Sequence, residues 1–145
     1  MISEKKFNED FAPIVGFYNY HIRNKKINIK LSDLQQFGVQ LKPEKISNIE
    51  DITEEEIPLN TILFSSSKKN NNVKNLMWAI RCVAHHPENV CIIRKKNHNY
   101  YRLRCLRKDN KNKNSRKTMQ GLVSCELWNE FIEKIKNRIK EYEKI

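Results

Sequence analysis

The chain has 145 residues, 31% of them charged and only 3 of them glycine, with a net charge of +11. That length suits a single domain, residues 1–145, which can bury a core without disulfide staples, and no apolar run reaches the ~18 residues of a membrane-spanning helix. With no glycine-rich loop to cradle phosphates, nucleotide hydrolysis is set aside.

The charge is divided unevenly. Residues 1–67 hold 8 Lys and Arg against 10 Asp and Glu, whereas residues 68–145 hold 20 against 7. A strongly basic half concentrates polyanions, so RNA is the expected partner, ahead of a membrane surface. The opening stretch MISEKKFNEDF lacks the apolar segment of a signal peptide, which points to the cytoplasm and to reduced thiols at Cys82, Cys91, Cys105 and Cys125. Cys82, His85, His86 and Cys91 have zinc-binding chemistry, but adjacent histidines point apart and no C-x-x-C is present. No metal or other cofactor is expected.

From Ser3 to Ile22, Phe7, Phe11, Ile14, Val15, Tyr18 and Ile22 recur at helical spacing, with Pro13 and Gly16 expected to bend or split the segment. Ser32 can cap a short helix that Gly38 ends. Pro43 and EDITEEEIP read as a solvated acidic stretch, and the rest of residues 1–67 carries no clear assignment. SSSKKNNN is a polar linker whose asparagines can cap the next helix.

That helix, Asn72 to His86, carries two faces. Val73, Leu76, Met77, Ile80, Val83 and Ala84 form a core stripe. Beside it runs a second row, Lys74, Trp78, Arg81 and His85, with Cys82 and His86 at its margin. An indole in a cationic row is poorly used if it only faces water, so Lys74, Trp78 and Cys82 are candidate dimer contacts.

Val90–Lys96 and Tyr100–Lys108 read as a β-hairpin turning on Asn97-His98-Asn99, which would set Cys91 opposite Cys105. Tyr101, Leu103 and Cys105 share the packed face. Tyr100, Arg102 and Arg104 share a cationic face and, with Arg94, Lys95 and Arg107, are candidate RNA contacts through phosphate binding and base stacking. The loop DNKNKNSRKT is too polar to order itself. From Ser124 to Tyr142 the stripe Leu127, Trp128, Phe131, Ile132, Ile135, Ile139 and Tyr142 makes a long amphipathic helix, supported by a Glu130–Lys134 pair.

Within LMWAIRCVAHHPENV, Ile80, Arg81, Val83, Ala84 and His86 follow the arginine-to-histidine pattern of the HEPN superfamily (higher eukaryotes and prokaryotes nucleotide-binding domains), often written L-R-N-A-x-A-H. Residues 70–145 resemble it; Cys82 departs from it where a polar residue is usual. The resemblance implies a mainly α HEPN-like helical bundle, with the β-hairpin between the motif helix and the C-terminal helix. It also implies a homodimer whose motif helices build one composite cleft, and metal-independent endoribonuclease activity. Small members of this kind often serve as toxins or antiviral defence effectors, so an antitoxin or another protein is a further candidate partner.

The implied catalytic set is Arg81, His86 and His85. On an ideal helix Arg81 and His86 lie about 140° apart, so the helix must end at His86, and Pro87 disfavours its continuation. His86 would then take the ribose 2′-hydroxyl proton or protonate the leaving 5′-oxygen, while Arg81 clamps the phosphate and His85 assists. The product would be a 2′,3′-cyclic phosphate. Two rival readings use the same residues: a non-catalytic nucleic-acid-binding module working through Tyr100, Arg102 and Arg104, and a protein that engages another protein through Trp78 and the acidic half.

Overall fold

The computed structural model describes residues 2–66, 71–108 and 115–143. The first amphipathic segment divides at Phe11 into α1 (Glu4–Asp10) and α2 (Ala12–His21). Ser3 caps α1 by accepting a hydrogen bond from the Lys6 amide at 3.2 Å. Pro13 falls in the first turn of α2, where its missing N–H leaves no gap in the hydrogen-bond ladder. The turn expected to be capped by Ser32 begins two residues earlier, as a 3-10 segment over Leu31–Phe37 capped at Lys30, and Gly38 ends it with φ of 88°.

β1 (Gln40–Glu44), α3 (Ile46–Asp51), a 3-10 turn at Glu54–Glu56 and β2 (Thr61–Ser65) come next. α4 (Asn72–Ala84) starts on Asn71, whose side chain accepts from the Lys74 amide at 2.8 Å. The chain then forms β3 (Val90–Lys95), β4 (His98–Lys108), β5 (Ser115–Ser124) and α5 (Cys125–Glu143). The five strands make one sheet in the order β1-β2-β5-β4-β3, with β1 parallel to β2 and the other pairs antiparallel.

This mixed α/β architecture overturns the mainly α, HEPN-like bundle expected from the motif helix. The β3–β4 hairpin exists, but it is the outer part of a sheet that continues through β5 into β2. Its register also differs. Lys96 and Asn97 both take positive φ, 49° and 67°, giving a two-residue turn that pairs Lys95 with His98 and Cys91 with Arg102. Cys105 instead faces Met119 on β5. Of the loop DNKNKNSRKT, residues 109–114 lie outside the described residues, while SRKT opens β5.

Alternation on β4 sends Tyr101, Leu103 and Cys105 into the main core beneath the helices. At its centre the Phe11 ring stacks on Trp128 at 4.9 Å and meets Tyr101 edge-on at 5.0 Å. Asp10, the last residue of α1, gathers the polar groups around these rings. Its carboxylate accepts from Tyr101 Oη at 2.6 Å and from Asn129 Nδ2 at 3.2 Å, and its carbonyl accepts the Trp128 indole N–H at 3.0 Å.

The opposite face of the sheet is covered by α3 and the acidic turn after it. Tyr100, Ile57 and Leu122 form a small second cluster there. Buried Gln120 donates to the carbonyls of Ile49 and Ile52 at 2.6 and 2.9 Å, satisfying the end of α3. Gly121 permits β2 to approach closely: a Cβ there would stand 3.1 Å from Ile62 and 3.3 Å from the Thr61 carbonyl. The two sheet edges are β3 and β1, and Pro43 lies within β1.

Replacing Trp128, which is fully buried, with alanine leaves a large cavity and should cost about 3–5 kcal/mol in urea denaturation. Tyr101 offers a separate test. Burial first, and its bond to Asp10 second, push its phenol above the usual 10.0. The unfolded chain then sheds this proton at lower pH than the folded one, so stability falls as pH rises past 10.0, and Tyr101→Phe should flatten that alkaline decline.

Candidate functional site

α4 presents its apolar stripe inward, with Val73, Leu76, Met77, Ile80 and Val83 buried. The row Lys74, Trp78, Arg81 and His85 is left on the outer side, as 3.6-residue spacing requires. Trp78 is 49% exposed, the only large apolar side chain of α4 at the surface among the described residues. The Arg81 guanidinium lies over two rings at once, 4.9 Å from the Trp78 centroid and 5.6 Å from Tyr18 on α2. These stacked contacts hold α2 against α4, and Arg81 Nε is buried with no hydrogen-bond partner among the described residues.

Two depressions flank this row. A cleft of about 620 Å³ lies between α4 and the ends of β4 and β5, with Tyr18, Trp78, Cys82, Cys105, Arg107 and Thr118 in its walls. A shallower basin of about 790 Å³ is lined by Lys25, Lys26, Lys30, Asn71 and Lys74. Lys74 lines both depressions. Its ammonium donates to the Lys25 carbonyl at 2.9 Å, which anchors it.

The three expected catalytic residues lie at one end of α4: the His85 and His86 ring centroids stand 6.2 Å apart, and Arg81 and His86 both act electrostatically on His85. The helix ends at Ala84, and His86 turns extended before Pro87, as the sequence requires. His86 Nδ1 then lies 3.3 Å from Glu88, with the imidazole 62% exposed. His85, one helical turn from Arg81, is its electrostatic neighbour. Partial desolvation lowers the His85 pKa below the usual 6.5, and repulsion from Arg81 and then His86 adds to this. Near neutral pH it is an uncharged imidazole able to accept a proton.

The expected RNA contacts scatter. Arg94 and Lys95 lie near the tip of the hairpin. Tyr100 is 6% exposed and packs with Ile57 and Leu122, so it offers no face for stacking. Arg102 pairs with Glu54 and donates to Cys91 Sγ at 3.5 Å. Arg116 pairs with Glu50 at 2.9 Å. Arg104 is half-buried opposite Gln120. Only Arg107, beyond the bulge after Cys105, joins the cleft. Of the expected dimer contacts, Trp78 is exposed, Lys74 is half-buried, and Cys82 turns into the cleft toward Cys105.

The sequence row found Lys74, Trp78, Arg81 and His85 but missed Tyr18, Cys105 and Thr118, and it found Arg107 for a different surface. These come from α2, β4 and β5, and no local spacing connects them to α4. Since Arg81 lowers the His85 pKa, Arg81→Ala should raise the imidazole midpoint followed by NMR titration, while Glu88→Gln should leave it in place.

Comparison with protein families, with curated proteins and with solved structures finds no match to this chain.

Proposed function

We propose that the protein binds single-stranded RNA across the lysine basin and the α4 cleft. The half-exposed Trp78 in a row of cations carries this reading. Any base presents a π-face to an indole, and such stacking is worth about 1–3 kcal/mol per base. Lys74 and Arg107 share the cleft with Trp78 and supply cations for phosphates, and Lys26 and Lys30 extend the track, while Lys25 is paired with Glu143. Arg102 and Arg116 contribute little, because Glu54 and Glu50 already neutralise them.

Trp128 is fully buried, so fluorescence quenching by an oligonucleotide reports Trp78. Single-stranded RNA should quench it, and Trp78→Ala should weaken binding roughly 5- to 160-fold. Lys74→Ala and Arg107→Ala should each reduce the salt slope by about 0.7, as expected for one phosphate contact on a single strand. Arg102→Ala should leave affinity unchanged. Equal binding by wild type and Trp78→Ala would refute the reading.

A second reading, metal-independent RNA cleavage, is favoured by the neutral imidazole of His85 beside Arg81. In it His85 takes the 2′-hydroxyl proton and Arg81 steadies the phosphate, with His86 outside the reacting pair. Incubation with RNA in EDTA tests it: Arg81→Ala and His85→Ala should abolish formation of 2′,3′-cyclic phosphate ends, whereas His86→Ala should not. Two copies joined through Trp78 would bring two such pairs together, which sedimentation of wild type and Trp78→Ala would reveal.

A further inference from the structure

At the floor of the cleft two cysteines from different elements meet. Cys82 comes from the outer margin of α4 and Cys105 from β4, just before the bulge, and both line the same cavity. Their thiols are in hydrogen-bond contact. The Thr118 hydroxyl also reaches this corner, donating to the Cys105 carbonyl at 3.3 Å. The other two thiols are placed differently. Cys91 lies beside the Arg102 guanidinium, and Cys125 starts α5 with its thiol pushed up by burial.

We propose that Cys82 and Cys105 form a peroxide-reactive dithiol site, in which Cys105 is the attacking sulfur and Cys82 resolves it. The Cys105 thiolate attacks one oxygen of hydrogen peroxide, breaking the O–O bond to give a sulfenic acid and hydroxide. The Cys82 sulfur then displaces the hydroxyl group from Cys105. The disulfide bond forms as the S–O bond breaks, and with the Cys82 proton the leaving hydroxide becomes water. Two thiols and one peroxide thus give one disulfide and two waters.

The roles follow from the surroundings of each sulfur. Cys82 donates its S–H to Cys105, and this bond, helped by Thr118 and opposed by burial, brings the Cys105 pKa down to about 7. As the donor, and partly buried, Cys82 holds its proton more tightly than a free thiol; the neighbouring Arg81 acts the other way and is outweighed. A thiol with a lowered pKa carries more thiolate at neutral pH, and its intrinsic nucleophilicity falls by less than the thiolate fraction rises. The resolving sulfur is already in contact, so the second step needs no long excursion of either element.

This chemistry requires no RNA and is tested on the whole reduced protein in its absence. Limiting hydrogen peroxide at pH 7, followed by denaturing alkylation and peptide mass mapping, should give a Cys82–Cys105 disulfide, with a loss of two hydrogens, before Cys91 or Cys125 is modified. In Cys82→Ser, dimedone should label Cys105, since its sulfenic acid has lost its resolving partner. Earlier modification of Cys91 or Cys125, or oxidation of Cys105 with no bond to Cys82, would overturn the proposal. The wild-type map stands even if the variant does not fold.

Discussion

Asp10 is the constraint on which the rest of the molecule depends. One residue at the end of α1 receives a phenol, a side-chain amide and an indole N–H, so α1, β4 and α5 meet at a single point. A hydrogen bond contributes about 0.5–1.5 kcal/mol net, and leaving a buried donor unpaired costs about 1–3 kcal/mol. The rings that carry these donors are the largest in the core, so polar and apolar packing select the same arrangement. Once α5 and β4 are fixed against α1, α4 has one way to bury its stripe, and the row from Lys74 to His85 faces outward.

The distribution of charge in space differs from that along the chain. The acidic stretch of the first half folds over the sheet face that carries Arg102 and Arg116, and Glu54 and Glu50 meet them there. What looked like two segments of opposite charge is partly one internally matched surface. On the other side, Lys26, Lys30 and Lys74 line the basin next to α4, which also carries the exposed indole, while Lys25 is paired with Glu143.

Legibility in the sequence followed locality. α4 and α5 were readable because their apolar residues repeat with the helical period, and Asn71 and Pro87 mark the ends of the first. The hairpin was readable as a pair of strands, but centring its turn on His98 shifted the pairing by three residues, because positive φ falls on Lys96 and Asn97. β2 is a short run buried on both faces, and β5 mixes lysine, threonine and glycine. Neither has a periodic signature, and both exist because they pair with strands distant in sequence. That missing half of the sheet made a helical bundle look sufficient. At the site, likewise, the residues on one helix were visible, and those brought to it by pairing were not.

The ends of the sheet limit how another chain can dock. Pro43 removes an amide donor from β1, with Lys42 beside it, and Arg94 and Lys95 place charge near the end of β3. Backbone-to-backbone annexation of a foreign strand is thus disfavoured at both margins. Side chains, rather than an open row of backbone donors and acceptors, are what these margins offer a second chain.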